Sequence, residues 1–274
     1  MKKFENILIC SDIDGTLLNS NRQISNENLE AIEYFKSEGG YFTIITGRPP
    51  AVAEEICKQV RPNAPIGCIN GGGLYDFERG EYVHLSHLDR SAAELAEYAC
   101  SKFESLGYQI NTAGPVYFCR DNYSMEWFRK ITGTPFIQRA PEMIEEPFTK
   151  IVFGDQNEDV ILELDKLLRA HPNACKFDLV SSEPTLYEIL PRGTHKGKAI
   201  PALCEYLSLP IERCIAIGDY NNDVEMLRAA GVGIAVANAS AEAIAAADRV
   251  TVSNDDHAIA RVIADIESRK IQLL

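Results

Sequence analysis

Three short apolar runs in this chain each stop directly in a polar cluster, and that repeated junction constrains the fold more than any other feature. Ile7-Leu8-Ile9-Cys10 is followed by Asp12-Ile13-Asp14-Gly15-Thr16, Tyr41-Phe42-Thr43-Ile44-Ile45 by Thr46-Gly47-Arg48, and Cys214-Ile215-Ala216-Ile217 by Gly218-Asp219-Tyr220-Asn221-Asn222-Asp223. Continuous apolar runs of this length suit strands covered on both faces. Helical patterns separate them. Ser25 is a candidate N-cap for a helix with Leu29, Ile32 and Phe35 on one side and Gly39-Gly40 as its stop. Further helices are expected over Pro50–Val60, Lys198–Leu207, Val224–Ala230 and Ala241–Ala247, and further strands over Ile66–Ile69 and Val232–Val236. Such alternation implies a Rossmann-like, doubly wound, mostly parallel α/β sheet with helices on both faces.

Residues 85–188 break the alternation. A helix is expected from Ser91, whose Ser-x-x-Glu spacing with Glu94 reads as a capping box, and another over Glu158–Arg169. Around them lie short β-like runs at Val116-Tyr117-Phe118, Lys150-Ile151-Val152-Phe153 and Leu186–Leu190. The expected organisation is therefore a discontinuous α/β core, 1–84 and 189–274, carrying an inserted α+β domain over 85–188. The aromatic group Tyr117, Phe118, Tyr123, Trp127 and Phe128 is expected in the core of that insert.

Composition excludes several classes. Lys and Arg number 27 against 40 Asp and Glu, a net charge of −13, and no basic run exceeds Lys2-Lys3, so a nucleic-acid backbone is not an expected partner. No apolar run reaches the ~20 residues of a membrane span. The eight cysteines show no Cys-x-x-Cys pair and read as core thiols, and no apolar leader follows the N-terminus. The expectation is a cytoplasmic protein, monomer or homodimer, with no membrane partner.

The polar clusters carry the chemistry. In open α/β sheets, ligands bind beyond the carboxyl ends of strands, where all three clusters fall. Asp12 and Asp14 lean the same way in an extended backbone; two carboxylates so placed suit a nucleophile and a proton donor, or simply a polar strand exit. Asp219 and Asp223 offer hard oxygen ligands for Mg²⁺ together with Asp12, or a helix-capping loop. Thr46 and the amides around Gly47 suit phosphate oxygens, although Thr-Gly-Arg is also an ordinary turn composition.

Taken together, the clusters resemble the haloacid dehalogenase superfamily of phosphohydrolases, in its Cof-type branch with the larger inserted cap. The resemblance rests on Asp12-Ile13-Asp14-Gly15-Thr16-Leu17, Thr46-Gly47-Arg48, Lys196-Gly197-Lys198-Ala199-Ile200, and Gly218-Asp219-Tyr220-Asn221-Asn222-Asp223-Val224-Glu225-Met226-Leu227, in that order, with Asn70-Gly71-Gly72 as a further turn. It implies a Mg²⁺-dependent phosphomonoesterase acting on small phosphorylated metabolites, either sugar phosphates or phosphorylated cofactors. By resemblance, Asp12 forms an aspartyl phosphate and Asp14 protonates the leaving alcohol. Asp12, Asp14 and Asp219 hold the metal with Asp223. Thr46, Gly47, Arg48, Lys196 and Asn222 bind the phosphate. The insert is then a cap that selects the alcohol. Ala237 and His257 stand where relatives often have Gly. Two other readings are a phosphosugar mutase of the same superfamily and a non-catalytic phospholigand-binding regulator. A phosphate-receiver domain explains one phosphorylatable Asp but not the insert.

Overall fold

A computed structural model describes residues 2–273. The strands in chain order are β1 (Leu8–Ser11), β2 (Tyr41–Ile44), β3 (Ile66–Cys68), β4 (Gly73–Asp76), β5 (Glu81–Leu85), β6 (Gly107–Thr112), β7 (Val116–Arg120), β8 (Phe148–Gly154), β9 (Phe177–Glu183), β10 (Leu186–Pro191), β11 (Cys214–Gly218), β12 (Val232–Ala235) and β13 (Arg249–Val250). The chain divides into two compact units, Met1–His84 with His195–Leu274, and Leu85–Thr194.

The first unit is built on a five-stranded sheet, β13-β12-β11-β1-β2, whose pairs are all parallel. From β1 the chain winds outward through β2 on one side. It later returns at β11 and winds outward through β12 and β13 on the other. Between β1 and β11 the winding reverses, leaving a crevice beyond their carboxyl ends. One face packs Leu8, Cys10, Cys214 and Ala216 against Ile200, Leu203, Met226 and Leu227 of helices Ala199–Leu207 and Val224–Ala229. Helix Asn26–Ser37 starts as expected, with the Ser25 side chain accepting from Asn28 N, and packs against helix Ala258–Glu267. The strand expected at Ile66–Ile69 forms as β3, and it joins two strands the apolar pattern does not announce, β4 and β5, in a separate three-stranded sheet with β3 and β4 antiparallel.

The second unit carries a five-stranded sheet, β7-β6-β8-β10-β9, with antiparallel pairs. Helices Ser91–Lys102 and Glu158–Arg169 cover one face, burying Leu95, Ile161 and Leu164 against Tyr108, Ile151, Phe153 and Tyr187. Four expectations need correction. Strand β10 pairs with β8 and β9 throughout, so the return to the first unit follows Thr194 rather than residue 188. The capping box at Ser91 does not form: Ser91 is already helical, and Asp89 accepts from both its N–H and its hydroxyl. Tyr123 and Trp127 lie exposed on a helix, Tyr123–Thr132, while Tyr117 and Phe118 are buried. Cys175 is exposed and Cys119 partly so, whereas the other six thiols are buried. Among the described residues no helix is long and apolar enough to cross a membrane.

Candidate active site

The site grows from the ends of β1, β2 and β11. Asp12 N–H donates to Ile217 O at 2.9 Å, extending the β1–β11 pairing by one step and fixing the first carboxylate. The chain then makes a single wide turn over Ile13–Leu17, closed by Leu18 N–H to Ile13 O at 2.9 Å. Gly15 has φ +79°, and a Cβ there would lie 2.3 Å from Asp219 Oδ2, so the turn can approach the β11 loop only without a side chain. Thr16 donates its hydroxyl to Asp219 Oδ1 at 2.9 Å, and Asn238 donates to Gly15 O at 2.8 Å, tying the same turn down.

The turn sends the paired aspartates to different partners. Asp12 is buried and its Oδ1 accepts from Lys196 Nζ at 2.7 Å. Asp14 is half exposed, and Arg48 grips it with two hydrogen bonds, at 2.7 and 3.0 Å; Arg22 adds a third at 3.4 Å. Both aspartates keep extended backbone angles, and Asp14 stays near enough to Asp12 and Asp219 to raise both electrostatically, but the two carboxylates have different partners.

Lys196 is the hinge of the arrangement. Its ammonium, 1% exposed, lies 2.7 Å from Asp12 Oδ1 and 2.7 Å from Asp223 Oδ1. Gly197 makes this possible, since a Cβ there would lie 2.3 Å from Glu225 O and push the turn off the neighbouring helix. Asp223 is fully committed: its other oxygen accepts from Asp219 N and Tyr220 N, both at 3.0 Å, and so shapes the loop after β11.

Asp12, Asp219 and Asp223 each bring a carboxylate oxygen within 4.8 Å of the others. One lysine faces three acids, so the cluster carries surplus negative charge. Burial, then Asp223, push Asp12 well above the ordinary carboxylate range, against the pull of Lys196. Burial, then Asp223, raise Asp219 to about 6, while the Thr16 hydrogen bond and Lys196 oppose. Burial alone disfavours a charged Lys196, but Asp12 and Asp223 overcome it and hold the ammonium firmly protonated. Hard, closely spaced oxygens with unbalanced charge are the donor set a divalent cation of the Mg²⁺ type takes.

The β2 end supplies the remaining groups. Thr46 is buried and its hydroxyl accepts from Arg48 N at 3.2 Å. Its backbone is laced to the next turn by Asn70 N to Thr46 O at 3.0 Å and Ile69 N to Arg48 O at 3.1 Å. That turn is strained, with Ile69 at φ +54° and Asn70 at φ +52°, a conformation costly for a β-branched residue. It delivers Asn70 Oδ1 to Asn222 Nδ2 at 3.5 Å and against Gly47. Of the expected phosphate-binding set, Lys196, Thr46, Gly47 and Asn222 gather here. The Arg48 guanidinium instead engages Asp14. Asn70, Thr16, Arg22 and Asn238 were not singled out by sequence. Asn70 and Thr16 lay inside visible motifs, whereas Arg22 and Asn238 gave no signal.

Comparison with known proteins agrees with this geometry. The family model for haloacid dehalogenase-like hydrolases matches residues 9–263. A 5-amino-6-(5-phospho-D-ribitylamino)uracil phosphatase of Bacillus subtilis is 28% identical over 264 residues, covering 94% of this chain and 96% of its own. An HMP-PP phosphatase of Serratia proteamaculans is 28% identical, covering 85% of this chain and 84% of its own. Among solved structures, a haloacid dehalogenase-like hydrolase from Bacteroides thetaiotaomicron superposes with a TM-score of 0.87 at 24% identity, covering 96% of this chain and all of that one.

Proposed function

This chain belongs to the haloacid dehalogenase-like hydrolases, as a phosphatase of their Cof-type branch, and from that premise we propose that it is a Mg²⁺-dependent phosphomonoesterase of small metabolites working through Asp12. The observation that carries the reading is the Lys196 ammonium bridging Asp12 and Asp223 beside Asp219, four groups drawn from distant stretches of chain.

Phosphoryl transfer is mainly positioning and charge neutralisation. Lys196 orients Asp12 by one oxygen and leaves the other to attack phosphorus, breaking the bond to the alcohol oxygen. Asp14, half exposed and steered by Arg48, gives its proton to the departing alcohol. It then takes a proton from water, which attacks the aspartyl phosphate, frees Asp12 and yields inorganic phosphate. Thr46 and the amides around Gly47 hold phosphoryl oxygens, and Lys196 offsets their charge. Asp12, Asp219 and the Asp14 carbonyl would hold Mg²⁺ with Asp223 behind them, and the ion, when bound, supplies the positive charge that lets a phosphate dianion meet a carboxylate. The inserted unit, in the same reading, sorts the alcohol.

The relatives' substrates, a phosphoribitylaminouracil and HMP-PP, support small phosphorylated metabolites as the class. A screen of such compounds, with Mg²⁺ and with a chelator, tests the proposal. Phosphate release that stops with chelator and returns with Mg²⁺ is expected. Release from none of them, or release indifferent to chelator, overturns it.

A further inference from the structure

The parallel sheet of the first unit runs on past β1 and β11, and its two outer strands also lead into polar side chains. Asn238 follows β12, and Asn254 follows β13. Both reach across the end of the sheet to the turn after β1, which carries Asp14. Asn238 Nδ2 donates to Gly15 O at 2.8 Å, and Asn254 Nδ2 donates to Leu18 O at 2.9 Å. The two are themselves joined, Asn254 N–H donating to Asn238 Oδ1 at 3.0 Å. Asp255 extends the grip by accepting from Ser20 N–H at 2.8 Å and from the Ser20 hydroxyl at 2.7 Å. All of these residues lie in the first unit.

The partners fix how each amide is turned. A main-chain N–H only donates and a main-chain carbonyl only accepts. Asn238 must therefore turn its oxygen to Asn254 and its NH₂ to Gly15, and Asn254 must turn its NH₂ to Leu18. Asn254 is buried, and its own oxygen accepts from the Ser253 hydroxyl at 3.1 Å. Asn238 is exposed, so the core does not depend on it.

What the pair holds is the soft part of the turn. Gly15, at φ +79°, follows Asp14 directly, and glycine has the widest torsional freedom of any residue. Asn238 removes that freedom on one side of the turn, as the Thr16 bond to Asp219 does on the other. Asp12 needs no such help, because its pairing with Ile217 and its contact with Lys196 set its position. Asp14 lies beyond that anchor. Its carboxylate is held by Arg48 and Arg22, long side chains that can follow the turn if it moves.

We propose that Asn238 and Asn254 are positioning residues for Asp14, clamping the Gly15 and Leu18 carbonyls so that the proton donor stands where the leaving oxygen departs. General acid catalysis needs the donor within hydrogen-bond reach of that oxygen, and a displacement of about 1 Å can cost ~10²-fold. Attack by Asp12 has no such need when the leaving group departs unaided. The inference rests on the phosphatase reading of Asp14.

The test compares kcat/KM for an alkyl phosphate and for an aryl phosphate with a good leaving group, in the full chain with Mg²⁺. This parameter covers the steps up to transfer onto Asp12, so the later attack of water does not enter. Asn238→Ala should lower the alkyl value about tenfold and the aryl value less than about twofold. Asn254→Ala, which strands the Leu18 carbonyl, should shift the ratio the same way. In an Asp14→Asn background, Asn238→Ala should leave the ratio unchanged, since the donor it positions has gone. A merely structural role predicts equal losses on both substrates, and the same losses with or without Asp14. Either of those results, or an unchanged ratio in Asn238→Ala, overturns the inference. The exposed Asn238 decides it even if Asn254→Ala does not fold. Release of phosphate from neither ester by the wild type would instead count against the phosphatase reading itself.

Discussion

Lys196 in the first unit and Lys150 in the second are both buried ammonium groups held by carboxylates, the former 2.7 Å from Asp12 and from Asp223, the latter 2.9 Å from Glu188. Their surroundings differ in arithmetic. Lys196 faces three clustered acids, Asp12, Asp219 and Asp223, and two of them are pushed upward by burial first and then by Asp223. Lys150 pairs with Glu188 on a sheet face it shares with the neutral amides of Gln109 and Asn111. Surplus negative charge in a buried site asks for a cation, whereas a lysine–glutamate pair carries no such surplus of its own.

The largest effect is expected at the surplus. Asp12→Asn should lower turnover by roughly a thousandfold or more, yet leave the thermal midpoint of the metal-free protein no lower than wild type, since one of the crowded carboxylates has gone. A variant that unfolds earlier would show that Asp12 is chiefly structural.

Removing the lysines compares the clusters directly. Lys196→Met should destabilise by ~3–5 kcal/mol and abolish most activity, because it strands Asp12 and Asp223 in the interior. Chemical denaturation should find the double change Lys150→Met with Glu188→Leu much milder, because it removes a balanced pair together. Equal losses would erase the distinction.

Asp14→Asn should cost about 10²–10⁴-fold on alkyl phosphates and much less on an aryl phosphate, whose leaving group needs little protonation. Equal losses on both would count against Asp14 as proton donor.

The smallest effect is in pH dependence. Asp219 is raised from 3.8 to about 6 in the folded metal-free protein. Between those values the folded chain holds a proton that the unfolded chain has lost, so stability falls as pH rises through the window and the penalty is complete above it. A bound cation relieves that penalty. Mg²⁺ should therefore raise the thermal midpoint more at about pH 7.5 than at about pH 5. A larger rise at the lower pH would contradict the charge assignment.

Much of the first unit was legible because its strands are continuous apolar runs that end in chemistry. Leu8–Ser11, Tyr41–Ile44 and Cys214–Gly218 lie where the pattern put them, and Asp12, Thr46 and Asp219 follow from their ends. Lys196 was reached only through family resemblance, since nothing local marks a lysine that is buried by residues far away in sequence. Arg48 was assigned to phosphate although its guanidinium grips Asp14, a contact set by the Ile13–Leu17 turn that strand periodicity cannot foresee. Of the β3-β4-β5 sheet, β3 was legible at Ile66–Ile69, whereas β5, Glu81–Leu85, has no buried residue to generate a pattern. In the second unit, Gln109, Asn111 and Glu188 look like ordinary polar positions of alternating strands. Only register shows that they meet on a buried face.

The central claim is that Asp12 takes the phosphoryl group. Asp14→Asn slows both formation and breakdown of that adduct, so acid-quenching this variant during turnover and mapping its peptides by mass spectrometry is the most direct measurement. A phosphoryl group on Asp12, acquired with Mg²⁺ present and lost with chelator, is the predicted result. Phosphate released by the wild type while the variant carries the group on another residue, or nowhere at any time after mixing, would contradict the account.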